Sequence, residues 1–290
     1  MTATLALVLL LSILIGVSLG MLGGGGSILT VPILVYAAGL PAKEAIAASL
    51  FVVGVTSLAG VVSHARSGRV KWRTGLLFGL AGMVGAFGGG LVGGRVPGDW
   101  LLIAFALMMV ATSLAMLRGR RTAPAAAHGR PDGELPVGRI LVDGSIVGLV
   151  TGLVGAGGGF LVVPALVLLG GLPMSVAVAT SLVVSAMKSF AGLAGYLTTV
   201  SLDWPLILGV TAAAVVGSVI GGRLAGKVPE TALRKGFGVF VLVMGGFVLA
   251  QQGPSWTLPV VAAAVAVLGV AAGACLSFVR SCPLRRVITA

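Results

Sequence analysis

The sequence predicts an all-α, polytopic membrane protein made of two repeats that enter the membrane with opposite orientation. Hydrophobic residues make up 58% of the chain and charged residues only 9%, whereas soluble domains carry roughly 25% charged residues. A glycine-rich stretch occurs twice, at 20–32 and at 152–164. The basic residues concentrate in loops that are not equivalent between the two repeats. These three observations together predict a membrane fold with an inverted internal repeat.

The first repeat, residues 1–117, begins with an apolar segment that starts at Leu5. No basic region precedes this segment, so we expect it to stay in the membrane rather than to be cleaved as a signal peptide. Most later segments have about 20 residues, which is enough to cross roughly 30 Å of hydrocarbon. The segment after the glycine run is about half as long. The predicted segments are 5–22, 28–38, 44–65, 72–94 and 100–117.

Residues 118–139 are predicted to form a solvated cytoplasmic linker, because they combine three prolines, three consecutive alanines and clustered charges. The second repeat, residues 140–250, follows the same order as the first. Its predicted segments are 141–154, 160–169, 175–197, 204–224 and 236–250. Residues 251–290 hold one extra apolar segment, 256–279, and a basic tail.

The two repeats align without a gap at an offset of 132 residues, which pairs Gly16 with Gly148. The same offset pairs Pro41 with Pro173, Ser49 with Ser181, Ser57 with Ser189, Trp72 with Trp204, and Gly85 with Gly217. Glycines four residues apart also recur, a spacing typical of close helix packing in membranes. They are Gly16 and Gly20, Gly85 and Gly89, Gly90 and Gly94, Gly217 and Gly221, and Gly222 and Gly226.

The loop charges predict the orientation of each repeat. Loop 66–73 carries four basic residues, whereas the aligned loop around Asp203 carries one acid and no base. The bias is reversed in the next pair of loops, where 223–235 is the basic one. Because basic loops stay in the cytoplasm, the repeats are expected to be inverted, each with about three spanning helices and one re-entrant hairpin. We therefore assign the net charge of +12 to membrane topology, and not to nucleic-acid binding, for which aromatic interleaving is missing.

The glycine runs are candidate substrate-binding elements. Without Cβ atoms the backbone can approach a ligand closely, and a helix that starts there offers N–H groups to an anion. Broken backbone at membrane depth also has to be buried or line a cavity. The alternative is that the glycines serve only for tight packing. A dinucleotide loop is excluded because no strand precedes the run and no acid follows at the right distance. The candidates are Gly23, Gly25, Gly26 and Ile28 in the first repeat, and Gly155, Gly157, Gly158 and Phe160 in the second.

A polar stripe is the second candidate feature. Ser181, Ser185 and Lys188 recur at helical spacing and share one face, and Ser49 lies on the corresponding face of the first repeat. A lysine in the middle of an apolar helix costs roughly 2.5–3.5 kcal/mol, and such residues mark functional sites. No acid lies within one turn of Lys188, so an anionic substrate would be its natural partner. Alternatively, the hydroxyls only join helices, and Lys188 extends to the interface or pairs with Asp143 or Asp203.

At these residues the sequence resembles the sulfite exporter TauE/SafE family of membrane transporters. The resemblance rests on the two glycine runs followed by Val-Pro at 31–32 and 163–164, and on the Gly-Leu-Pro turns at 39–41 and 171–173. It extends from Gly16 to about Gly246. It implies a multi-pass carrier of the inner (plasma) membrane for sulfite or organosulfur anions.

We therefore expect a transporter that moves a small anion by alternating access, coupled to an ion gradient because no ATP-binding loop is present. Its expected partners are the lipid bilayer and the anion, without nucleic acid, metal or cofactor. The alternatives are an anion channel, a non-transporting subunit of a larger assembly and a membrane-embedded enzyme. An enzyme would need acid, base or metal ligands within the membrane, and the seven acids and two histidines of the chain lie mostly in loops or at segment ends.

Overall fold

A computed structural model describes residues 2–22, 27–66, 68, 70–117, 137–155, 162–163, 166, 174–224 and 230–252. These residues form helices joined by turns, without a strand among them, so the predicted all-α class is confirmed. The helices are α1 (Thr2–Leu22), α2 (Thr30–Tyr36), α3 (Ala42–Arg66), α4 (Trp72–Gly93), α5 (Gly98–Leu117), α6 (Val137–Val154), α7 (Met174–Tyr196), α8 (Trp204–Leu224) and α9 (Glu230–Gln252).

Several predicted features lie largely or wholly outside the described residues. They are the linker, of which only the start of α6 is described, the extra C-terminal segment at 256–279, most of both glycine runs, and the segment 160–169 with the turn 171–173 that follows it. The half-length segment of the first repeat is described as a single turn at 27–29 that leads into the short helix α2. A positive φ of 72° at Gly39 then turns the chain toward α3, which is why glycine stands in the Gly-Leu-Pro turn.

Several described helices have the length and composition of membrane spans. Four are long and apolar enough to cross a bilayer, and they lie in α3, α4, α7 and α8: Ala42–Val62, Trp72–Gly93, Val176–Tyr196 and Trp204–Leu224. Shorter apolar helices are Ala6–Gly20, Ser27–Tyr36, Gly98–Ser113, Leu141–Val154 and Val241–Gln252.

Helix α4 illustrates how glycine divides the faces of a membrane helix. Its buried positions are mostly glycine and alanine. Its exposed positions are large and apolar, and Val84 is 75% exposed. In water such an exposed apolar face would be unfavourable, whereas in a bilayer it contacts lipid. Leu76, Leu80, Val84 and Phe87 form this outward face.

The chain divides into two compact units. The first consists of Met1–Leu101 and Arg121–Lys227, and it contains both glycine runs and both polar stripes. The second consists of Leu102–Arg120 and Val228–Ala290, which includes most of α5 and all of α9. In this second unit a Cβ on Gly245 would lie 3.1 Å from the side chains of Met109 and Val110, so α5 and α9 pack closely there.

The sequence repeat is also a repeat of helix contacts within the first unit. Helix α1 packs on α8, and α6, which aligns with α1, packs on α4, which aligns with α8. The agreement extends to single residues. A Cβ on Gly16 would overlap the backbone of Ala214, and a Cβ on the aligned Gly148 would overlap the backbone of Gly82, which aligns with Ala214. Two crossings are therefore built on the same pair of positions.

The contacts also fix helix directions. A Cβ on Gly54 of α3 would lie 3.0 Å from the ring of Phe190, and a Cβ on Gly60, farther along α3, would lie 3.1 Å from Leu182. The residue numbers in these contacts increase along α3 while they decrease along α7, so these two aligned helices run antiparallel. In contrast, α4 and α6 run parallel, since Gly148 lies against Gly82 and Gly152 lies against Ala86.

Candidate functional site

The polar stripe of α7 lies inside the first unit. Ser181, Ser185 and Ser189 are fully buried, and Lys188 is 1% exposed. Helix α7 reaches this position between α3, α4 and α6, all of which pack against it. The stripe predicted from spacing alone is therefore a buried face that contacts several helices of both repeats.

Lys188 is held by a hydroxyl group. Its Nζ donates to Thr151 Oγ1 of α6 at 3.3 Å, which is longer than the usual 2.7–2.9 Å of a hydrogen bond from an ammonium group to an anionic oxygen. Thr151 Oγ1 in turn donates to the Val147 carbonyl at 2.7 Å. The hydroxyl can accept from Lys188 because its own proton is directed to the backbone. The hydrogen-bond partner of Lys188 is thus a neutral hydroxyl group.

Gly82 of α4 provides the space that the lysine side chain occupies. A Cβ on Gly82 would lie 2.6 Å from Lys188 Cδ and 2.8 Å from Cγ, which is closer than a real methyl group packs. The aliphatic part of Lys188 therefore crosses α4 at its glycine face. This contact with the lysine, and not a turn or a positive φ, is why glycine is needed at position 82.

The aligned positions do not repeat this combination of a lysine, a hydroxyl acceptor and a glycine. At the offset of 132 residues, Lys188 aligns with Thr56, Thr151 with Leu19 and Gly82 with Ala214. The Thr56 hydroxyl donates back to the Val52 carbonyl of its own helix at 2.7 Å. The lysine and its acceptor lie in the second repeat and its clearance lies in the first, and each of the three is replaced by a different residue at the aligned position. The buried cation therefore has no counterpart at the aligned position, although the packing of the helices is repeated.

Unpaired hydroxyls accompany the lysine on α7. Among the described residues, the buried hydroxyl oxygens of Ser185 and Ser189 have no hydrogen-bond partner, and the same holds for Ser57 and Thr30. A buried polar group without a partner costs roughly 1–3 kcal/mol. Ser185 and Ser189 lie one turn or less from Lys188 along α7. Hydrogen-bonding capacity is therefore left over beside the buried cation.

The second glycine run begins in contact with the first repeat. Gly155 has a φ of 74°, and its carbonyl accepts a hydrogen bond from Ser49 Oγ of α3 at 3.0 Å. A Cβ at Gly155 would overlap Ile46 of the same helix. The structure thus joins two predicted site residues, Ser49 and Gly155, across the repeats. Ser181, which aligns with Ser49, instead donates to the Val178 carbonyl within α7 at 2.8 Å.

The remaining predicted site residues are mostly not described. Ile28 is fully buried in the turn before α2. Six predicted positions lie outside the described residues: Gly23, Gly25, Gly26, Gly157, Gly158 and Phe160. Thr151 and Gly82 were not predicted as site residues from the sequence. Both were detectable as positions where one repeat departs from the other, together with Lys188.

A surface cavity of about 410 Å³ lies apart from the lysine, at the ends of α3 and α7. Lys43, Glu44, Asp99 and Ser201 are among its lining residues. The Lys43 ammonium donates to the Gly94 carbonyl at 3.0 Å, next to the C-terminal end of α4, where a cation is favoured by the helix dipole. This contact gives Lys43 a role in ending a helix, which differs from the position of Lys188 within one.

Comparison with known proteins agrees with the membrane architecture. The model of the sulfite exporter TauE/SafE family matches residues 8–248. The chain belongs to this TauE/SafE family. It is 36% identical over 249 residues to a probable membrane transporter protein of Xylella fastidiosa, covering 81% of this chain and 91% of the relative. The resemblance predicted from the glycine runs and Gly-Leu-Pro turns is confirmed.

More distant relatives carry similar names. A probable membrane transporter protein of Methanocaldococcus jannaschii is 28% identical over 262 residues, covering 84% of this chain and 95% of the relative. One of Bacillus subtilis is 25% identical over 228 residues, covering 79% and 93%. No solved structure matches the chain significantly. This TauE/SafE-family protein is a multi-pass membrane transporter.

Proposed function

We propose that this family member carries a small anion, of the sulfite or organosulfur class, across the inner (plasma) membrane. The observation that carries the proposal is the environment of Lys188. A lysine that is 1% exposed bonds to one neutral hydroxyl of the described residues. An ammonium group has three N–H donors, so its bonding capacity exceeds what Thr151 accepts. An anion supplies both the missing acceptors and the missing charge.

The neighbouring hydroxyls support the same site. Ser185 and Ser189 are buried beside Lys188 and have no partner among the described residues. Hydroxyl groups can donate to the oxygens of a bound anion without adding charge. The site we propose consists of Lys188 with these serines on α7. Thr151 of α6 orients the ammonium, and Gly82 of α4 leaves space for it.

The glycine runs are proposed to border this site. The contact of Ser49 Oγ with the Gly155 carbonyl supports a meeting of the second run with the first repeat near the polar stripes. On this proposal the two short helices that follow the runs are re-entrant and turn their starting N–H groups toward the anion. Ile28 and Phe160 would begin these helices.

Transport is proposed to occur by alternating access between inverted repeats, driven by an ion gradient. The antiparallel contact of the aligned helices α3 and α7 supports the inversion, as does the exchange of basic loops between repeats. The repeated α1–α8 and α6–α4 crossings would move as two similar bodies about the central α3–α7 contact. Such rocking of one repeat against the other is the usual basis of alternating access.

Purified protein in detergent and in proteoliposomes tests the proposal. We expect labelled sulfite or a sulfonate to bind saturably and to be taken up, with unlabelled anion accelerating exchange across the membrane. Lys188→Met should lower the affinity at least tenfold, about 1.4 kcal/mol, because it removes the charge but keeps the apolar length. Lys71→Met, which removes an exposed lysine at the start of α4, is the matched control and should bind like the parent.

Two results would count against this function. One is a Lys188→Met protein that binds the anion as tightly as the control does. The other is the lack of binding by every sulfur oxyanion and sulfonate tested. Flux that does not saturate and does not respond to anion on the opposite side would instead indicate a channel.

A further inference from the structure

We propose that the transported anion carries a single negative charge at the site, so that hydrogen sulfite and monosulfonates bind in preference to dianions such as sulfate or thiosulfate. This inference rests on the proposed function and narrows its substrate class. It comes from the charged residues of the helices around Lys188 and from the neutral character of the described polar groups beside it, Thr151, Ser185 and Ser189.

The sequence around Lys188 contains one charge. No other charged residue occurs between Asp143 and Asp203, a range that covers the rest of α6, the second glycine run and all of α7. The carboxylate of Asp143 lies about two helical turns before Thr151. The ammonium of Lys188 is therefore the sole formal charge of this stretch.

The helices packed against α7 add no second cation at the same level. In α4 the only charged residue is Arg73 in the first turn, more than two turns before Gly82. In α6 the acid Asp143 is accompanied by one base, Arg139, near the start of the helix.

Helix α3 likewise has its ionisable residues only near its ends. They are Lys43, Glu44, His64 and Arg66. The part of α3 that contacts α7 around Gly54 and Phe190 has no charged side chain. Among the charged side chains of these helices, the bound anion thus meets the Lys188 ammonium alone at this level.

Charge balance then selects the anion. A monoanion beside the Lys188 ammonium gives a neutral pair, which is the favourable way to bury charge in a low-dielectric interior. A dianion would leave one negative charge uncompensated, and the serine hydroxyls can solvate that charge but cannot neutralise it. The helix starts proposed to border the site add only partial positive charge, so the electrostatic penalty is larger for dianions than for monoanions.

The number of hydrogen-bond donor groups in the proposed site also fits a monoanion such as a sulfonate. A sulfonate head presents three oxygens. The Lys188 ammonium and the hydroxyls of Ser185 and Ser189, all buried on adjacent turns of α7, supply three donor groups. Hydrogen sulfite has the same single charge and a similar size.

Competition binding tests the inference with the purified full-length protein. Labelled sulfite is bound at a pH where hydrogen sulfite predominates, and unlabelled methanesulfonate, sulfate and thiosulfate compete. We expect methanesulfonate to compete at least tenfold better than either dianion. As pH rises through the second ionisation of sulfite, sulfite affinity should fall more steeply than methanesulfonate affinity measured directly over the same range, because only sulfite gains a second charge. Binding is preferred to flux because neutral sulfur dioxide crosses bilayers unaided.

Variants link the preference to the lysine. In Lys188→Met the ratio of methanesulfonate to sulfate affinity should collapse toward one, whereas Lys188→Arg should keep the preference at reduced affinity, since charge survives but geometry changes. Lys71→Met should keep the parental ratio. A structural role for Lys188 would lower both affinities without changing their ratio.

The outcomes separate the two proposals. Sulfate or thiosulfate competing as well as methanesulfonate, or sulfite binding more tightly at higher pH, would overturn the monoanion inference and leave anion transport standing. An unchanged ratio in a folded Lys188→Met protein would overturn it as well. If none of these anions binds, the proposed function fails, and this inference fails with it.

Discussion

At the scale of single residues, the internal repeat allows each residue to be compared with the residue at the aligned position. Lys188 contacts both Thr151 and Gly82, and all three differ from their aligned counterparts Thr56, Leu19 and Ala214. Packing alone would be satisfied by the small or apolar residues that stand at the aligned positions. The difference at all three positions is consistent with the proposed anion site, because packing alone does not require a lysine there.

Gly82 gives the residue-scale prediction. Gly82→Ala would bring a methyl group into contact with Lys188 Cδ, and the flexible lysine would have to move from its present position. We expect anion affinity to fall roughly tenfold, or about 1.4 kcal/mol, while thermal stability changes little because alanine favours the helix. Anion titration and a melting curve measure the two effects.

Gly88→Ala is the matched control for Gly82→Ala. Gly88 lies in the same helix, and an added Cβ there has no neighbour within 4 Å. Equal anion affinities in the two variants would show that the lysine position does not depend on the clearance at Gly82.

The sequence predicted Lys188 as a site residue because the cost of a charge in an apolar segment is visible in the sequence itself. It did not predict Thr151 or Gly82 as its neighbours. Which side chains meet a lysine depends on how α4, α6 and α7 cross, and crossing is a property of the packed helices.

At the scale of helices, the close crossings depend on glycine backbones. A Cβ on Gly85 of α4 would overlap the Ser145 carbonyl of α6, and a Cβ on the aligned Gly217 of α8 would overlap the Ile13 carbonyl of α1. Backbone atoms cannot rotate away as a side chain can. At both crossings the two helices can therefore approach this closely only because glycine has no side chain at that position.

Gly85→Ala and Gly217→Ala should each destabilise the protein by about 1–3 kcal/mol, the usual cost of overpacking. The higher helix propensity of alanine offsets up to about 1 kcal/mol of this. Thermal unfolding in detergent measures the effect as a lowered Tm. Because the two positions are aligned, the two shifts should be similar.

Gly222→Ala is the control for these crossings, since Gly222 is exposed on α8 and an added Cβ has no neighbour within 4 Å. It should keep or raise the Tm. If Gly85→Ala is as stable as Gly222→Ala, the helices can separate without cost and the crossings are not limited by glycine.

The spacing of glycines predicted the interfaces only in part. Gly16, Gly85 and Gly217 lie at close crossings as expected, whereas Gly222 faces outward and Gly226 lies outside the described residues. A four-residue spacing identifies one face of a helix. Whether another helix lies against that face is decided by the rest of the fold.

At the scale of the whole molecule, inverted repeats would put equivalent loops on opposite sides of the membrane. The labelling experiment starts from a variant in which the native cysteines Cys275 and Cys282 are replaced. Ser67→Cys and Gly226→Cys should then react only when a reagent reaches the cytoplasmic side, and Ser201→Cys should react from outside. Impermeant maleimide on intact and permeabilised cells measures this, and anion transport confirms that each variant is folded.

Labelling of Ser67→Cys and Ser201→Cys from the same side would contradict the inversion, because these positions lie in loops that the repeat makes nearly equivalent. Permeabilised cells supply the control, since all three cysteines should react there.

The sequence by itself determined the membrane class, the two repeats and the family, because composition, periodicity and recurring glycines are properties of neighbours along the chain. The sequence also marked Lys188 as exceptional, but it did not single out Thr151 or Gly82. The tertiary structure decided that the lysine bonds to Thr151 and that Gly155 meets Ser49. These contacts join residues far apart in the chain, and in an apolar bundle the partner of each polar group is set by which helix faces cross.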